Sequence, residues 1–437
     1  MRLRISANRS AHRNNSAIAA DQPPALGSDG HILMQRLAPR LSVLWRRSSF
    51  MAAGVLAAIL AACSAPWLAR PTPTPLPVPT ATAIPVPTPV VRAWPQVASP
   101  SYSIQVFMWW RPDLGERDLG LVQDMGFGWV KQRFAWRDIE ETAPGVFNWA
   151  RPEQLVQLVQ DRNLKLIALL DYPPYWAMPL DPASTADTGP PADYATFGDF
   201  CAAFAQHFKG KVAAYQVWNE PNLAREWGGR PPDPAAYVRL LRACYTGIKS
   251  ADPAAIVISA GLAPTGTEPP IAMPHDAFLR AMYAAGAQPY FDMLGVHAPG
   301  YRAPPWVSSE QVQAELPLGG NRWMAFRHVE DMRALMLEYD DPQKQVAILE
   351  TGWTTDPVHP DYSWFAVSEA QQAEYLAGAY KWAREHWRPW VGIMNTIYIA
   401  DPQWVPEQEQ YWWAITTPGE PLPGLRPAYR ALRDMPK

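Results

Sequence analysis

Short apolar segments alternate with longer amphipathic ones through the last three quarters of this 437-residue chain. Eight apolar segments have the length and the β-branched content of buried strands. They start near Ser103, Gly128, Lys165, Val212, Ala255, Phe291, Gln345 and Val391. The stretches between them predict helices, because segments such as Tyr194–Phe208 and Ala235–Lys249 repeat apolar residues at intervals of three and four. Alternation of this kind is typical of parallel β/α units, and eight such units close into a barrel.

Two of the predicted strands end in a glutamate. The fourth runs into Trp218–Pro221 (Trp-Asn-Glu-Pro), and the seventh runs into Glu350–Trp353 (Glu-Thr-Gly-Trp). Parallel strands present their carboxyl ends at one face, so Glu220 and Glu350 are expected on the same side of the sheet. A single glutamate of this kind more often pairs with a basic group under a loop. Two together predict acid/base chemistry on a sugar, which needs one carboxyl to protonate the leaving oxygen and one to attack.

This pattern resembles the clan of retaining glycoside hydrolases that includes cellulases and β-xylosidases, from about Ser103 to the C-terminus. The resemblance implies an α/β fold, a (β/α)8 TIM barrel. No metal and no cofactor are expected, because the sequence has no His/Cys cluster with metal-ligand spacing and no Gly-rich phosphate loop. It implies Glu220 as acid/base and Glu350 as nucleophile, with Asn219 bonded to the sugar 2-hydroxyl. Because the acid must start protonated, we expect the wall of Trp218 and the charge of Glu350 to raise the pKa of Glu220.

Candidate substrate-binding residues lie near other strand ends. Lys131 and Arg133 are two apart on the second strand and therefore share a face. The family commonly places an arginine there beside the nucleophile; the spacing gives this place to Lys131, with Arg133 as the alternative. Trp176 follows the third strand as a candidate for the sugar cleft. His297 ends the sixth strand, with Tyr301 nearby, where the family uses a His or Tyr to contact the nucleophile or the sugar.

The eighth strand departs from the family pattern. Its expected terminal tryptophan is not plainly present, and Tyr398, Trp404 and Trp412 are the candidates to replace it. Charged residues make up only 18% of the chain, without a basic run in the predicted barrel, so nucleic acid is not an expected partner. The 21 tryptophans suit both a core and stacking on sugars. A monomer acting on a polysaccharide or oligosaccharide is expected.

The N-terminal part predicts export. Residues 1–62 read as a leader and signal peptide, although Met34 and Met51 are alternative starts. The run ending in Leu60-Ala61-Ala62-Cys63 resembles a bacterial lipobox, which implies lipidation of Cys63. Residues 63–98 form a linker of alternating Pro with Thr or Val, and residues 99–437 form the barrel. The expected location is the outer face of the membrane, with anchorage through the lipid, or secretion.

Two questions stay open at the level of sequence. Cys201 and Cys244 fall in the helices flanking the fourth strand, either as a disulfide or as buried thiols. The leading function is a retaining glycosidase. The alternatives are a surface lipoprotein that binds carbohydrate without cleaving it and a barrel with a purely structural role. The sugar, the linkage and the choice between endo and exo action are not distinguished.

Overall fold

The computed structural model describes residues 94–178 and 188–437. The leader, Cys63 and most of the Pro-rich linker lie outside the described residues. Eight parallel strands form one closed barrel in chain order. The strands are β1 (Ser101–Gln105), β2 (Trp129–Ala135), β3 (Lys165–Asp171), β4 (Ala214–Val217), β5 (Ile256–Ser259), β6 (Met293–His297), β7 (Gln345–Thr351) and β8 (Val391–Thr396). Strand β8 pairs with β1 and closes the ring, which confirms the predicted (β/α)8 TIM barrel.

Helices connect the strands and cover the barrel from outside. In the described part they are α1 (Gly115–Asp124), α2 (Trp136–Ile139), α3 (Ala150–Asp161), α4 (Tyr194–His207), α5 (Pro234–Ala251), α6 (His275–Ala284), α7 (Ser309–Ala314), α8 (His328–Glu338), α9 (Pro360–Ser363), α10 (Glu369–His386), α11 (Gln410–Trp413) and α12 (Pro427–Asp434). A short antiparallel pair, β9 (Thr416–Thr417) and β10 (Gly424–Leu425), precedes α12. No helix in these ranges combines the length and the apolar character needed to cross a membrane.

Local sequence signals set several helix ends. Asp193 and Asp233 cap α4 and α5 by accepting from backbone N–H groups, and Ser368 with Gln371 forms a capping box on α10. Each cap satisfies a donor that the helix leaves unpaired, worth about 1 kcal/mol. The bounds that the sequence predicts for α4 and α5 agree with the structure to within a few residues.

The core has two layers. Inside the barrel, apolar side chains from the strands form one cluster, which includes Ile167, Ile258, Leu349 and Ile393. The larger layer lies between the strands and the helices. Val97, at the end of the predicted linker, packs against the inner cluster. Its N–H also donates to Gln345 Oε1 at 2.9 Å. The chain is thus packed against the barrel before the predicted domain start at residue 99.

Helices α4 and α5 approach closely beside β4. A Cβ on Gly247 would lie 2.3 Å from the carbonyl oxygen of Gly198, so the close approach requires a glycine at position 247. A disulfide joins Cys201 to Cys244, with the two Cα atoms 5.3 Å apart. The structure therefore decides between the two states that the sequence left open. The bond ties together the helices that precede and follow the strand carrying Glu220.

Candidate active site

Glu220 stands in a tight turn at the carboxyl end of β4. Trp218 and Glu220 both have positive φ angles, of 72° and 41°, which side-chain-bearing residues rarely adopt. The Trp218 ring is buried between Phe197 and Trp227, and the Glu220 N–H donates to Gly261 O at 3.1 Å. These contacts hold an otherwise unfavourable backbone. The turn thereby directs a carboxylate that is only 1% exposed into the site.

Glu350 ends β7 on the same face of the barrel. Its Oε1 lies 3.4 Å from Lys131 Nζ, and both side chains are buried. The Lys131 ammonium also donates to Leu349 O at 3.0 Å. Burial lowers the pKa of Lys131, and the neighbouring carboxylate of Glu350 opposes that shift. Lys131 is thus the cation beside Glu350, as the spacing predicts.

Asn395 fixes the same segment from the eighth strand. Its Nδ2 donates to Leu349 O at 2.9 Å, and its Oδ1 accepts from the Ser103 hydroxyl at 2.8 Å. The carbonyl that precedes Glu350 therefore has donors on two sides. Asn395 was not predicted, because an asparagine inside an apolar strand does not indicate which carbonyl it will contact.

His297 joins the two carboxylates. Its Nδ1 lies 3.1 Å from Glu220 Oε1 and 3.6 Å from Glu350 Oε2, and the ring is fully buried. A β-bulge shifts the register between β6 and β7 at this point and pairs His297 with Glu350. A Cβ on Gly261 would lie 2.0 Å from the imidazole, so the ring position requires glycine there. The end of the sixth strand thus brings its histidine to both acids.

Arg225 was not predicted and contacts Glu220 directly. It lies in the short 3-10 helix Ala224–Glu226, five residues after the glutamate, and its Nη2 donates to Glu220 Oε2 at 2.8 Å. Its Nε lies 3.8 Å from Glu226 Oε1. The one available signal is an arginine in the loop after the fourth strand, which is too common to single out.

The charge environment of Glu220 differs from the expectation. Burial alone would raise the pKa of this carboxyl, but the hydrogen bond with His297 and the charge of Arg225 outweigh burial and lower the pKa. The predicted direction is therefore wrong for the free site, because the prediction took no account of the hydrogen bond between His297 and Glu220 or of the charge of Arg225. Burial raises the pKa of the nearby Glu226 to about 8, against the opposing charge of Arg225.

Arg133 contacts a different carboxylate. Its Nε donates to Asp171 Oδ2 at 3.0 Å, and its guanidinium lies 4.7 Å from the centre of the Tyr172 ring. Burial raises the pKa of Asp171 to about 6, although the charge of Arg133 opposes this. Trp176 packs edge-on against Trp136, and its indole N–H donates to Glu140 O at 2.9 Å. These contacts attach Trp176 to the loop after the second strand.

The two candidate tyrosines, Tyr301 and Tyr398, are both buried and belong to the same hydrophobic cluster. Tyr301 packs on Phe365 and Trp323, and burial, with a smaller effect from the charge of Glu220, raises its pKa. Tyr398 follows β8 and packs edge-on against Phe107 and Trp404, at 5.3 Å between ring centres in each case. The aromatic group after the eighth strand is therefore Tyr398 with Trp404. Trp412 lies in α11, where its indole donates to Pro406 O.

The arrangement combines an acid pair with an orphaned donor. One oxygen of Glu220, one of Glu350 and a nitrogen of His297 lie within 4.8 Å of one another. These three could form a metal site, but Lys131 and Arg225 set a cation against each carboxylate, and their charges oppose a metal ion.

The buried Asn219 Nδ2 makes no hydrogen bond with any residue the structure describes. A buried donor of this kind can pair with an acceptor on a bound molecule, such as a hydroxyl group.

No protein-family model matches the chain, and no curated protein is similar to it in sequence. Its fold is similar to that of solved glycoside hydrolases. A family 39 glycoside hydrolase from Bacteroides cellulosilyticus WH2 has TM-score 0.56 and 19% identity, over 77% of this chain and 63% of that one. GH5_18 from Streptomyces cattleya, solved with GlcNAc, has TM-score 0.54 and 16% identity, over 77% and 80%.

An exo-β-1,4-mannosidase from Opitutaceae bacterium strain TAV5 has TM-score 0.50 and 16% identity, over 78% of this chain and 60% of that one. The chain therefore spans less than two thirds of the length of two of these three structures. At such identities the likeness shows the barrel fold.

Proposed function

We propose that the protein is a retaining glycosidase that hydrolyses β-glycosidic bonds of a polysaccharide or oligosaccharide. The observation that carries this proposal is the pair of buried carboxylates at the ends of β4 and β7, with oxygens within 4.8 Å of each other. Retaining enzymes hold their two carboxyl groups close, whereas inverting enzymes leave room for a water between them. The glycoside hydrolases of similar fold support the same class of reaction.

In the first step, the Glu350 carboxylate attacks the anomeric carbon and forms the glycosyl ester. The bond to the leaving oxygen breaks, and this oxygen takes the proton of Glu220. In the second step, Glu220 takes a proton from water while the water oxygen attacks the anomeric carbon and releases Glu350. Lys131 places a positive charge 3.4 Å from the Glu350 oxygen Oε1, beside the group that attacks in the first step.

Arg225 affects the two steps in opposite directions. Its charge favours an ionised Glu220, which is the base that the second step needs. The first step needs the protonated form, so we expect acidic conditions to favour it. Asn219 Nδ2 serves as a donor to a sugar hydroxyl, as the family resemblance implies, and its lack of a partner in the described residues is consistent with this role.

The domain division and the location remain proposals. We place a signal peptide over residues 1–62, a lipidated Cys63 with its linker up to residue 98, and the catalytic barrel after it, outside the cell. The Cys201–Cys244 disulfide supports an oxidising compartment, because such bonds persist there and are rare in the cytosol. Labelled palmitate should enter the wild type and be absent from Cys63→Ala. A wild type without label would exclude the lipid anchor.

A panel of aryl β-glycosides tests the activity. Hydrolysis of at least one member is expected, and NMR of the first product formed should show the β-anomer. Release of the α-anomer would indicate inversion. Failure on every member, together with binding on a glycan array, would favour the non-catalytic alternative.

A further inference from the structure

A cleft opens on the same face of the barrel as the carboxylates. It has a volume of about 700 Å³ and is formed by the segments that follow β1, β2 and β3 together with the start of α3. Its lining includes Trp109, Trp110, Arg137, Asn148 and Tyr175. A cleft of this size exceeds the needs of one small side chain and is in the range of ligand pockets.

Two aromatic rings in this cleft are unusually exposed. Trp110 is 49% exposed and Tyr175 is 72% exposed, whereas Trp136, Trp218, Trp353 and Trp387 are fully buried in the core. Trp109 packs edge-on against Phe134, which anchors the wall beside Trp110. The Arg137 guanidinium lies 5.9 Å from the Tyr175 ring centre. Exposed rings next to polar groups provide faces on which the C–H surface of a sugar can stack.

The charges around the cleft balance. Arg137 and Arg151 supply two positive groups, and Asp138 and Glu141 supply two negative ones. A site for an anionic polymer would show an excess of positive charge. The remaining polar lining includes Asn148 and Gln154, whose amides both donate and accept hydrogen bonds. This combination suits the hydroxyl groups of an uncharged sugar.

The cleft is connected to the carboxylates through strand β2. The Arg137 guanidinium lies 4.7 Å from the Tyr172 ring centre, and the same ring faces Arg133 at 4.7 Å. Arg133 is two residues beyond Lys131, the residue that contacts Glu350. From Lys131 to the end of β2 at Ala135 the strand advances ~13 Å. The cleft and the carboxylates are therefore linked by one strand and by the residues that directly follow it.

We propose that this cleft binds further uncharged sugar units of the same glycan whose bond is cleaved between Glu220 and Glu350. The inference rests on the proposed glycosidase function and deepens it: the natural substrate is then a chain of several neutral sugars rather than a single terminal glycoside. The catalytic rate at low substrate concentration therefore rises with chain length until the cleft is filled.

The test compares kcat/KM for a 4-nitrophenyl monosaccharide with kcat/KM for the disaccharide to pentasaccharide series of the same sugar, taken from cello-, xylo- and manno-oligosaccharides. In the wild type, kcat/KM should increase along one series. Trp110→Ala and Tyr175→Ala should each reduce this increase by ~3–10-fold, which corresponds to the loss of one stacking contact. Both variants should leave the monosaccharide rate unchanged, which shows that they are folded.

Trp306→Ala is the matched control, since Trp306 is 43% exposed but packs on Tyr375 of α10, outside the cleft. Its dependence on chain length should equal that of the wild type. Hydrolysis without dependence on chain length, or an equal dependence in all variants, would overturn the cleft proposal and leave the glycosidase proposal standing. No hydrolysis of any substrate would instead count against the glycosidase.

Discussion

Buried charged groups have different environments at the two faces of the barrel. At the N-terminal face, the Lys344 ammonium lies 2.9 Å from Asp341, and the Tyr283 hydroxyl donates to the same carboxylate at 3.1 Å. Asp292 forms an ion pair with Lys249 beside the start of β6. These partners come from the helices and turns that cover this face. The N-terminal face therefore holds charges that are paired and enclosed.

At the C-terminal face, some buried polar atoms have no hydrogen-bond partner in the described part of the chain. His297 Nε2 and Asn219 Nδ2 have no hydrogen-bond partner among the described residues, although both side chains are buried. Glu220 and Glu350 are 1% and 2% exposed and lie close enough for their charges to repel. Such an arrangement costs free energy unless a ligand uses it. The comparison supports the proposal that the first face stabilises the barrel and that the second face binds the substrate and carries the reaction.

The largest expected effect of a substitution is the loss of turnover when Glu350, the proposed nucleophile at the C-terminal face, is removed. Glu350→Ala should reduce turnover of aryl glycosides on the order of 10⁴-fold or more, because it removes the carboxylate proposed to form the glycosyl ester. Steady-state kinetics with a circular dichroism spectrum measures this. Residual activity within a factor of ten of the wild type would show that Glu350 is not the nucleophile.

The acid should show an effect that depends on the leaving group. Glu220→Ala should lower the rate ~10²–10⁴-fold on substrates with poor leaving groups, which need a proton. The formation of the glycosyl-enzyme should be spared on dinitrophenyl glycosides, whose leaving group needs none. Pre-steady-state burst measurements separate the two steps. Equal losses of the first step on both substrate types would contradict the role of acid.

A matched change at the N-terminal face should affect stability instead. Asp341→Ala leaves Lys344 buried without its carboxylate, and the free energy of unfolding should fall by ~3–5 kcal/mol. The kcat/KM of the folded fraction should stay unchanged. Denaturation in urea measures the first quantity. Glu338→Ala is the control, because it breaks a solvent-exposed pair with Arg280 and should change little. Lost activity without lost stability in Asp341→Ala would contradict the division between the faces.

The smallest expected effect concerns Arg225. Its charge lowers the pKa of Glu220, so Arg225→Gln should raise that pKa. The protonated acid would then survive to higher pH, and the alkaline limb of kcat/KM should move upward by about one pH unit, or ~1.4 kcal/mol. A pH profile on a substrate with a poor leaving group detects the shift. Movement of this limb to lower pH would contradict the assigned role.

The features that the sequence predicts well are those recorded in local patterns. Apolar runs give the eight strands, and the residue that ends a strand is thereby assigned to the C-terminal face, as for Glu220, His297 and Glu350. The same logic finds Lys131, because side chains two apart on a strand share a face. These contacts follow from topology and required no knowledge of the loops.

The features that the sequence does not predict depend on distances between separate segments. Arg225 reaches Glu220 through the path of a short loop, and Asn395 reaches Leu349 O across two strands. The pairing of Cys201 with Cys244 depends on how closely α4 and α5 pack. The wrong direction for the pKa of Glu220 has the same origin, since the hydrogen bond with His297 and the charge of Arg225, both from other segments, together outweigh the effect of burial.

The identity of the product formed with azide tests the central claim most directly. With Glu350→Ala, azide should enter the space left by the carboxylate and give a glycosyl azide of inverted configuration. With Glu220→Ala, azide should attack the glycosyl-enzyme and give the retained configuration. Proton NMR of the two products distinguishes these outcomes. Exchanged configurations would reverse the assignment of acid and nucleophile, and full activity in both variants without azide would place the reaction elsewhere.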